Sequence, residues 1–228
     1  MAVRRIRGAR ETPLFSALSP DPGGERIVAG TDDFVLFRGW LAPERADALL
    51  AAIRAETVWL RERRKMYDRV VDVPREQAWV GEGPASSRPW TPELAEVRDA
   101  LERLAGVRFR YVLLNRYRDG ADSVAWHNDR DVAGIDRPAI GSLTLGATRA
   151  FDVRRKDDRA RVVSVDLDHG DLVLMRGAAQ VDFEHRVAKD RRVSGERVNL
   201  TFREYAERGS FPRIEQEFDA AGGRKELR

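Results

Sequence analysis

Two of the three histidines of this 228-residue chain stand where they could bind a metal ion. The segment WHNDRD places His127 and Asp129 two residues apart, so in an extended chain both side chains point to the same side. His185 stands in VDFEHRVA, a segment with the composition of a strand. Two imidazoles and one carboxylate form the facial triad that binds non-haem Fe(II) and leaves coordination positions open. The pair alone is weak support, because an H-x-D motif arises by chance and a lone strand histidine is usually structural.

Composition limits the alternatives for this site. The chain contains no cysteine, which excludes disulfides, thiolate nucleophiles and zinc sites built on cysteine, including those of the base deaminases. Any metal must therefore be bound by nitrogen and oxygen. The third histidine, His169, precedes a glycine in DHGDLVLM, and we expect it to fix a turn by hydrogen bonding and not to bind metal.

The segment RVNLTFR (197–203) supplies a second group of polar residues. On a strand, one face would carry Arg197, Asn199, Thr201 and Arg203, and the other face would carry apolar side chains. For this segment alone, a half-exposed strand with its polar side in water is the favoured explanation. The order along the chain favours another explanation. An H-x-D pair, a distal histidine and then an arginine-bearing strand is the arrangement of a 2-oxoglutarate-dependent oxygenase, in which a buried arginine pairs with the far carboxylate of the keto diacid.

Local signals predict which elements position these residues. A helix is expected from Pro43, with Ala46, Leu49, Leu50 and Ile53 on its apolar face. A second helix is expected after an N-cap at Thr91, ending before Gly106. The segment DDFVLFRGW (32–40) predicts a first strand, and 74–90 reads as loop-rich. From Val107 onward, short strands rich in β-branched and aromatic residues follow one another. This order predicts an α+β fold, with a jelly-roll (double-stranded β-helix) core and N-terminal helices packed outside.

Bulk properties agree with one globular unit. Hydrophobic residues make up 42% of the chain, the net charge is +3 and the sequence pI is near 9.5, so a polyanionic partner is permitted but not required. We divide the chain into a flexible arm (1–30), a helical extension (31–106), the jelly-roll core (107–210) and a tail (211–228). The basic N-terminus lacks the apolar stretch of a secretory signal, and no segment is apolar enough to cross a bilayer. We therefore expect no membrane partner, a cytoplasmic location and a monomer.

Several motifs in one order resemble those of the AlkB-type nucleic-acid dealkylases, a family of Fe(II)/2-oxoglutarate-dependent dioxygenases. The resemblance covers about residues 66–205. It rests on His185 and on five segments: NRYRDG (115–120), WHNDRD (126–131), IGSLTLGATRAF (140–151), HGDLVLMRGAAQ (169–180) and RVNLTFR (197–203). The resemblance implies Fe(2+), 2-oxoglutarate and O2 as cofactors. It also implies oxidative demethylation of 1-methyladenine- or 3-methylcytosine-type bases in DNA or RNA, with release of formaldehyde, succinate and CO2.

The resemblance assigns roles to individual residues. Three residues would bind iron: His127, Asp129 and His185. Arg197 and Asn199 would bind the distal carboxylate of 2-oxoglutarate, with Tyr117 assisting. Arg203 would pair with the carboxylate beside the keto group, near Asn115. From the residues alone, Asn115 could equally be a turn residue and Tyr117 an ordinary core residue.

The substrate residues follow from the same resemblance. Asp131 would accept hydrogen bonds from the exocyclic amine of a damaged base, although a solvated loop charge is the alternative. Met66 and Tyr67 occupy the place of the apolar wedge found in relatives that act on duplex DNA. Arg75 is a candidate phosphate contact, and Trp79 is the obvious aromatic residue for stacking on a flipped base.

Two departures from the family pattern keep other functions open. The aromatic-rich segment that follows the PR motif in relatives is replaced by WVGEGPASSRPW, and acidic Asp182 and Glu184 stand where relatives often carry aromatic or basic residues. Both favour an oxygenase of the same fold that hydroxylates a substrate other than nucleic acid. A third possibility is a catalytically inactive nucleic-acid-binding module, which would require the metal-binding face to be broken.

Overall fold

The computed structural model describes residues 24–61, 63–66, 69–82, 87–129 and 135–204, with the backbone alone for 63–66 and 69–72. Two predicted substrate residues, Tyr67 and Asp131, lie outside these ranges, and so do most of the predicted arm and the whole tail (211–228). Met66 ends a strand, but its side chain is outside the description as well.

Two long helices begin where the local signals predict, and the second also ends where predicted. Helix α1 runs over Pro43–Glu56 and helix α2 over Pro92–Ala105. The Thr91 hydroxyl accepts a hydrogen bond from the backbone N–H of Leu94 (3.3 Å), and Gly106 ends α2 at φ 72°, a left-handed conformation that glycine adopts without steric cost. A single-turn helix, α3, covers Ala179–Asp182. None of the helices within the described ranges is long and apolar enough to cross a membrane.

Thirteen strands make up the remaining regular structure of the described residues. In chain order they are β1 Glu25–Arg26, β2 Phe34–Phe37, β3 Arg63–Met66, β4 Arg69–Asp72, β5 Glu76–Gly81, β6 Phe109–Tyr117, β7 Val124–His127, β8 Ile140–Gly146, β9 Arg149–Arg155, β10 Val162–Leu167, β11 Leu172–Met175, β12 Phe183–Val187 and β13 Arg197–Glu204. All of their ladders are antiparallel.

Two sheets face each other across the interior. The major sheet has the order β1-β2-β11-β8-β13-β6-β5 and the minor sheet the order β10-β9-β12-β7, while β3 and β4 form a separate hairpin. The outer face of the major sheet packs on α1 and α2, in a core that includes Leu101, Leu114 and Phe202. A second core, with Phe151 and Val173, fills one end of the space between the sheets. The fold is therefore the expected α+β jelly roll with helices outside.

The major sheet reaches further back along the chain than the segment from Val107 onward. Strands β2 and β5 come from the part of the sequence assigned to the extension, yet β2 pairs with β11 and β5 pairs with β6. The loop-rich interpretation of 74–90 is wrong for β5. Its register sets Gln77 opposite Asn115, so long-range pairing forms a strand that local composition does not reveal.

Candidate metal centre and co-substrate pocket

The three predicted iron ligands converge inside the barrel. His185 of β12 and His127 of β7 stand directly opposite each other on neighbouring strands of the minor sheet, and their ring centroids lie 4.4 Å apart. Asp129 follows two residues after His127, beyond the end of β7. Its carboxylate oxygens lie 3.7 Å from Nε2 of each histidine. One ligand atom from each residue therefore lies within 4.8 Å of the others, a spacing that allows all three to bind one ion.

His185 and Asp129 have the protonation states that metal binding requires at neutral pH. Burial lowers the pKa of His185 to about 3, with a further contribution from His127, so this imidazole is neutral. Burial alone would raise the pKa of Asp129, but the Arg203 guanidinium and both imidazoles outweigh it and hold that pKa at about 2. Nδ1 of His127 lies 2.8 Å from the Ala125 carbonyl and donates to it, which leaves the Nε2 lone pair facing Asp129.

Among the described residues, nothing closes one side of this centre. Asp129 and His185 are almost fully buried, whereas the His127 side chain is 34% exposed. Two imidazole nitrogens, one carboxylate and an open side fit Fe(II) better than a closed structural zinc site, since a structural zinc ion requires four protein ligands.

A second buried site surrounds Arg197 on β13. Its Nη2 donates to Oγ1 of Thr144 (2.9 Å) and to Oδ1 of Asn199 (2.8 Å), and its guanidinium lies 5.3 Å from the Tyr117 ring centroid. Its Nε and Nη1 are buried and have no hydrogen-bond partner in the described part of the chain. Burial lowers the pKa of Arg197 to about 10, so the charge persists at neutral pH. A buried cation whose remaining donors have no partner among the described residues is suited to a carboxylate.

Arg203, at the other end of the polar face of β13, is directed to the metal centre. Its Nη2 donates to Oδ1 of Asp129 at 2.8 Å, in an ion pair that is almost fully buried. It stands opposite Tyr111 on β6, whereas Asn115 stands opposite Asn199. Arg203 and Asn115 are therefore not paired across the strands, and the pairing of Arg203 with the co-substrate stays a prediction. The bond that is visible orients an iron ligand.

Asn115 is held by two donors, neither of which the sequence analysis connected with it. Its Oδ1 accepts from Nε2 of Gln77 (2.8 Å) and from Nε of Arg75 (2.9 Å). With the oxygen occupied twice, the amide NH2 of Asn115 is turned away from this pair and is available to an acceptor in the cavity. Arg75 was predicted to contact phosphate. In the structure it is half-buried and bonds to Asn115, close enough to help lower the pKa of Asp129.

This arrangement predicts the effect of Gln77→Glu. A carboxylate beside Oδ1 of Asn115 would repel it, so the Asn115 amide would turn and present its oxygen to the cavity. Since a hydrogen bond to a charged group contributes about 1.5–3 kcal/mol, the KM for 2-oxoglutarate should rise about 10-fold or more. Steady-state kinetics at varied co-substrate concentration would measure this rise. Gln77→Met is the matched control, because Arg75 still holds the amide, and an equal rise in that variant would contradict the interpretation.

The remaining substrate predictions concern the aromatic and acidic residues. Trp79 lies on β5 on the same face as Gln77, is half-buried, and has its ring centroid 5.8 Å from that of Tyr111. Glu184 is paired with Arg154 (2.6 Å) and with Arg159 (3.6 Å). Its charge is therefore compensated, which removes much of the repulsion that we expected it to exert on a phosphate backbone.

The third histidine serves the fold in the way that we expected. Nδ1 of His169 accepts a hydrogen bond from the Gly146 backbone N–H at 2.8 Å, at the turn between β10 and β11.

Comparison with known proteins places the chain among oxygenases. A family model described as the 2OG-Fe(II) oxygenase superfamily matches residues 33–203. The alpha-ketoglutarate-dependent dioxygenase alkB homolog 3 of Rattus norvegicus is 36% identical over 190 residues, covering 76% of this chain and 64% of that protein. The chain thus matches a little under two thirds of that relative's length. The human protein named DNA oxidative demethylase ALKBH2 is 31% identical over 221 residues, covering 87% of this chain and 83% of its own length.

A solved structure supports the fold independently. OsALKBH1 superposes with a TM-score of 0.56 at 17% identity, covering 75% of this chain and 98% of that one.

Proposed function

Since this chain belongs to the 2OG-Fe(II) oxygenase superfamily and, within it, to the AlkB-type proteins, we propose that it oxidatively removes N-methyl groups from the bases of DNA or RNA. One observation carries the proposal. Ligand atoms of His127, Asp129 and His185 converge in the same barrel whose strand β13 holds Arg197, a buried guanidinium with donor nitrogens left unpaired among the described residues. A metal triad and a carboxylate receptor together are what coupled oxidation of a keto diacid and a second substrate requires.

The proposed reaction couples oxidation of 2-oxoglutarate to hydroxylation of an N-methyl group. When bound, Fe(II) supplies activation of O2, so that 2-oxoglutarate is converted to succinate and CO2 while the second oxygen atom is inserted into a C–H bond of the N-methyl group. The resulting N-hydroxymethyl base loses formaldehyde by cleavage of its C–N bond; the base nitrogen keeps the electron pair of that bond, and the hydroxyl proton is released to water. No further reductant is needed for the coupled cycle.

The residues of the chain bind and orient the reactants. Arg197 binds the far carboxylate of 2-oxoglutarate beside the Tyr117 ring, through a buried donor that is unpaired among the described residues. Asn115 offers its NH2 to the other end of the co-substrate, with its orientation set by Gln77 and Arg75. Arg203 fixes the carboxylate of Asp129. Such positioning is the protein's main contribution in cofactor chemistry.

Nucleic acid is the substrate class that the surroundings favour. The human relative is named a DNA oxidative demethylase, and the present chain has a net charge of +3 and a sequence pI near 9.5. Half-buried Trp79 lies on the same sheet face as Gln77, where an extruded base could stack on it. Compensation of Glu184 by Arg154 weakens the argument for a substrate of another class, since that argument rested partly on its charge.

An activity panel tests the proposal. The protein is incubated with Fe(II), 2-oxoglutarate and ascorbate, together with 1-methyladenine or 3-methylcytosine in single-stranded DNA, duplex DNA or RNA. We expect formaldehyde and succinate in equal amounts on at least one of these substrates. Turnover on no methylated oligonucleotide, together with 2-oxoglutarate decarboxylation stimulated by a metabolite, would refute nucleic-acid demethylation and support the other oxygenase function. Failure to bind Fe(II) and 2-oxoglutarate would leave only the inactive binding module.

A further inference from the structure

A buried amide touches the metal-binding segment from a different element. Gln180 lies in α3, is only 2% exposed, and accepts the backbone N–H of Asp129 at its side-chain Oε1 (2.7 Å). We propose that Gln180 is the positioning residue for the carboxylate ligand, and that loss of its oxygen weakens metal binding without breaking the fold. The inference rests on the metal centre of the proposed function and does not depend on which methylated substrate is used.

The position of Asp129 explains why such a support is needed. Strand β7 ends at His127, and its directly paired positions with β12 end at the His127–His185 pair. Asp129 therefore lies beyond the hydrogen-bonded ladder that fixes the two histidines. Where the ladder is absent, two hydrogen bonds to Gln180 hold the segment that carries Asp129. Oε1 of Gln180 accepts from Asp129, and the backbone carbonyl of Gln180 accepts from Nδ2 of Asn128 at 2.8 Å.

Gln180 is itself held in place. Its Nε2 contacts Sδ of Met175 at 3.6 Å, which orients the amide with Oε1 toward Asp129. The ammonium group of Lys156 donates to the carbonyls of Gln180 (3.1 Å) and Val181, and the Lys156 backbone N–H donates to the carbonyl of Asp182 (2.9 Å). These bonds tie α3 to the end of β9, so the single helical turn does not rely on its own length for rigidity.

Two residues thus hold Asp129, one through its side chain and the other through its backbone. Arg203 orients the side chain of Asp129 through Oδ1, and Gln180 fixes the backbone from which that side chain projects. Removing the backbone anchor lets the ligand atom move relative to Nε2 of the two histidines, while the Arg203 ion pair is retained. Partners of metal ligands typically contribute about 10- to 100-fold to metal affinity.

The test compares three variants by anaerobic titration with Fe(II) in the presence of 2-oxoglutarate, followed through the visible charge-transfer band. Gln180→Met keeps volume and burial but removes the acceptor, and we expect the Kd for Fe(II) to rise about 10- to 100-fold. Gln180→Glu keeps an acceptor oxygen, and we expect it to restore most of the affinity. Lys156→Met is the matched control. It weakens the anchoring of α3 but leaves the bond to Asp129, so it should lower the Tm of the metal-free protein with less than a threefold change in Kd, or about 0.6 kcal/mol.

Second readouts separate a positioning role from a purely structural one. Visible spectra of the Co(II)-substituted proteins report ligand geometry, and we expect a shifted spectrum for Gln180→Met alone. If that variant does not fold, Gln180→Asn, whose shorter side chain cannot reach the same N–H, takes its place in both measurements. Unchanged Fe(II) affinity in the Met or Asn variant, or an equal loss in Lys156→Met, would overturn the inference. If the unmodified protein binds no Fe(II), the proposed function itself fails first.

Discussion

Replacing Asp129 by asparagine will abolish Fe(II) retention and oxygenase activity while leaving the side-chain volume almost unchanged. The substitution removes the anionic ligand of the triad, so the loss of affinity should exceed the about 10- to 100-fold typical of a ligand's hydrogen-bonded partner. It also leaves the buried Arg203 guanidinium without its carboxylate at 2.8 Å, and breaking a buried ion pair in this way typically costs about 3–5 kcal/mol of stability. Iron titration, product formation and urea unfolding measure the three effects.

Asp152→Asn is the matched control for this prediction. Asp152 is also a buried aspartate with an arginine partner, Arg186 at 2.7 Å, and lies on β9 of the same minor sheet. Asp152 pairs with Arg186, which follows His185 on β12. The side chains of Asp152 and Arg186 therefore point to the side of the minor sheet opposite to that of His185. We expect the control to lose stability but to keep iron. Retention of Fe(II) by Asp129→Asn at the level of the control would contradict the triad.

The metal ligands could be predicted from sequence because their spacing carries the information. An H-x-D pair in an extended segment requires only local geometry, and His185 lies in a strand that antiparallel pairing brings beside His127. Their supporting residues carried no such signal. Gln180, Gln77 and Thr144 are common polar residues, and only the register of the sheets or the placement of α3 turns them toward the site.

The same contrast explains which elements of the fold were predicted. Helix α2 carries its own start and stop, Thr91 and Gly106, so its bounds follow from local signals. Strand β5 lies in a segment crowded with glycine, proline and serine, and forms because it pairs with β6 on one edge. Leu60 and Arg88 cover its other edge through isolated bridges. Such pairing depends on residues far apart in sequence, and composition within a short window does not reveal it.

Replacing Arg197 by methionine will separate co-substrate binding from stability, because the two should change in opposite directions. Removing one partner of a buried charge pair costs about 2–5 kcal/mol, so the KM for 2-oxoglutarate should rise at least about 30-fold. Without a diacid, however, the guanidinium is buried with Nε and Nη1 unpaired within the described part of the protein, which is a cost to the folded state. We therefore expect the co-substrate-free variant to be at least as stable as the original protein in urea unfolding. Arg197→Lys should not restore binding, since lysine lacks the planar two-donor geometry.

Arg149→Met provides the contrasting case, since both arginines are 2% exposed. Arg149 donates to the backbone carbonyls of Asp119 (3.0 Å), Asp122 (2.9 Å) and Ala188 (2.6 Å). Its removal leaves these carbonyls without their donor, so stability should fall by about 1–3 kcal/mol or more. Thermal unfolding with and without 2-oxoglutarate and a redox-inert divalent ion gives the second readout. The original protein and Arg149→Met should both gain Tm with the ligand, while Arg197→Met should not. Ligand stabilisation of Arg197→Met, or destabilisation of that variant equal to that of Arg149→Met, would show that Arg197 supports the fold and does not receive the co-substrate.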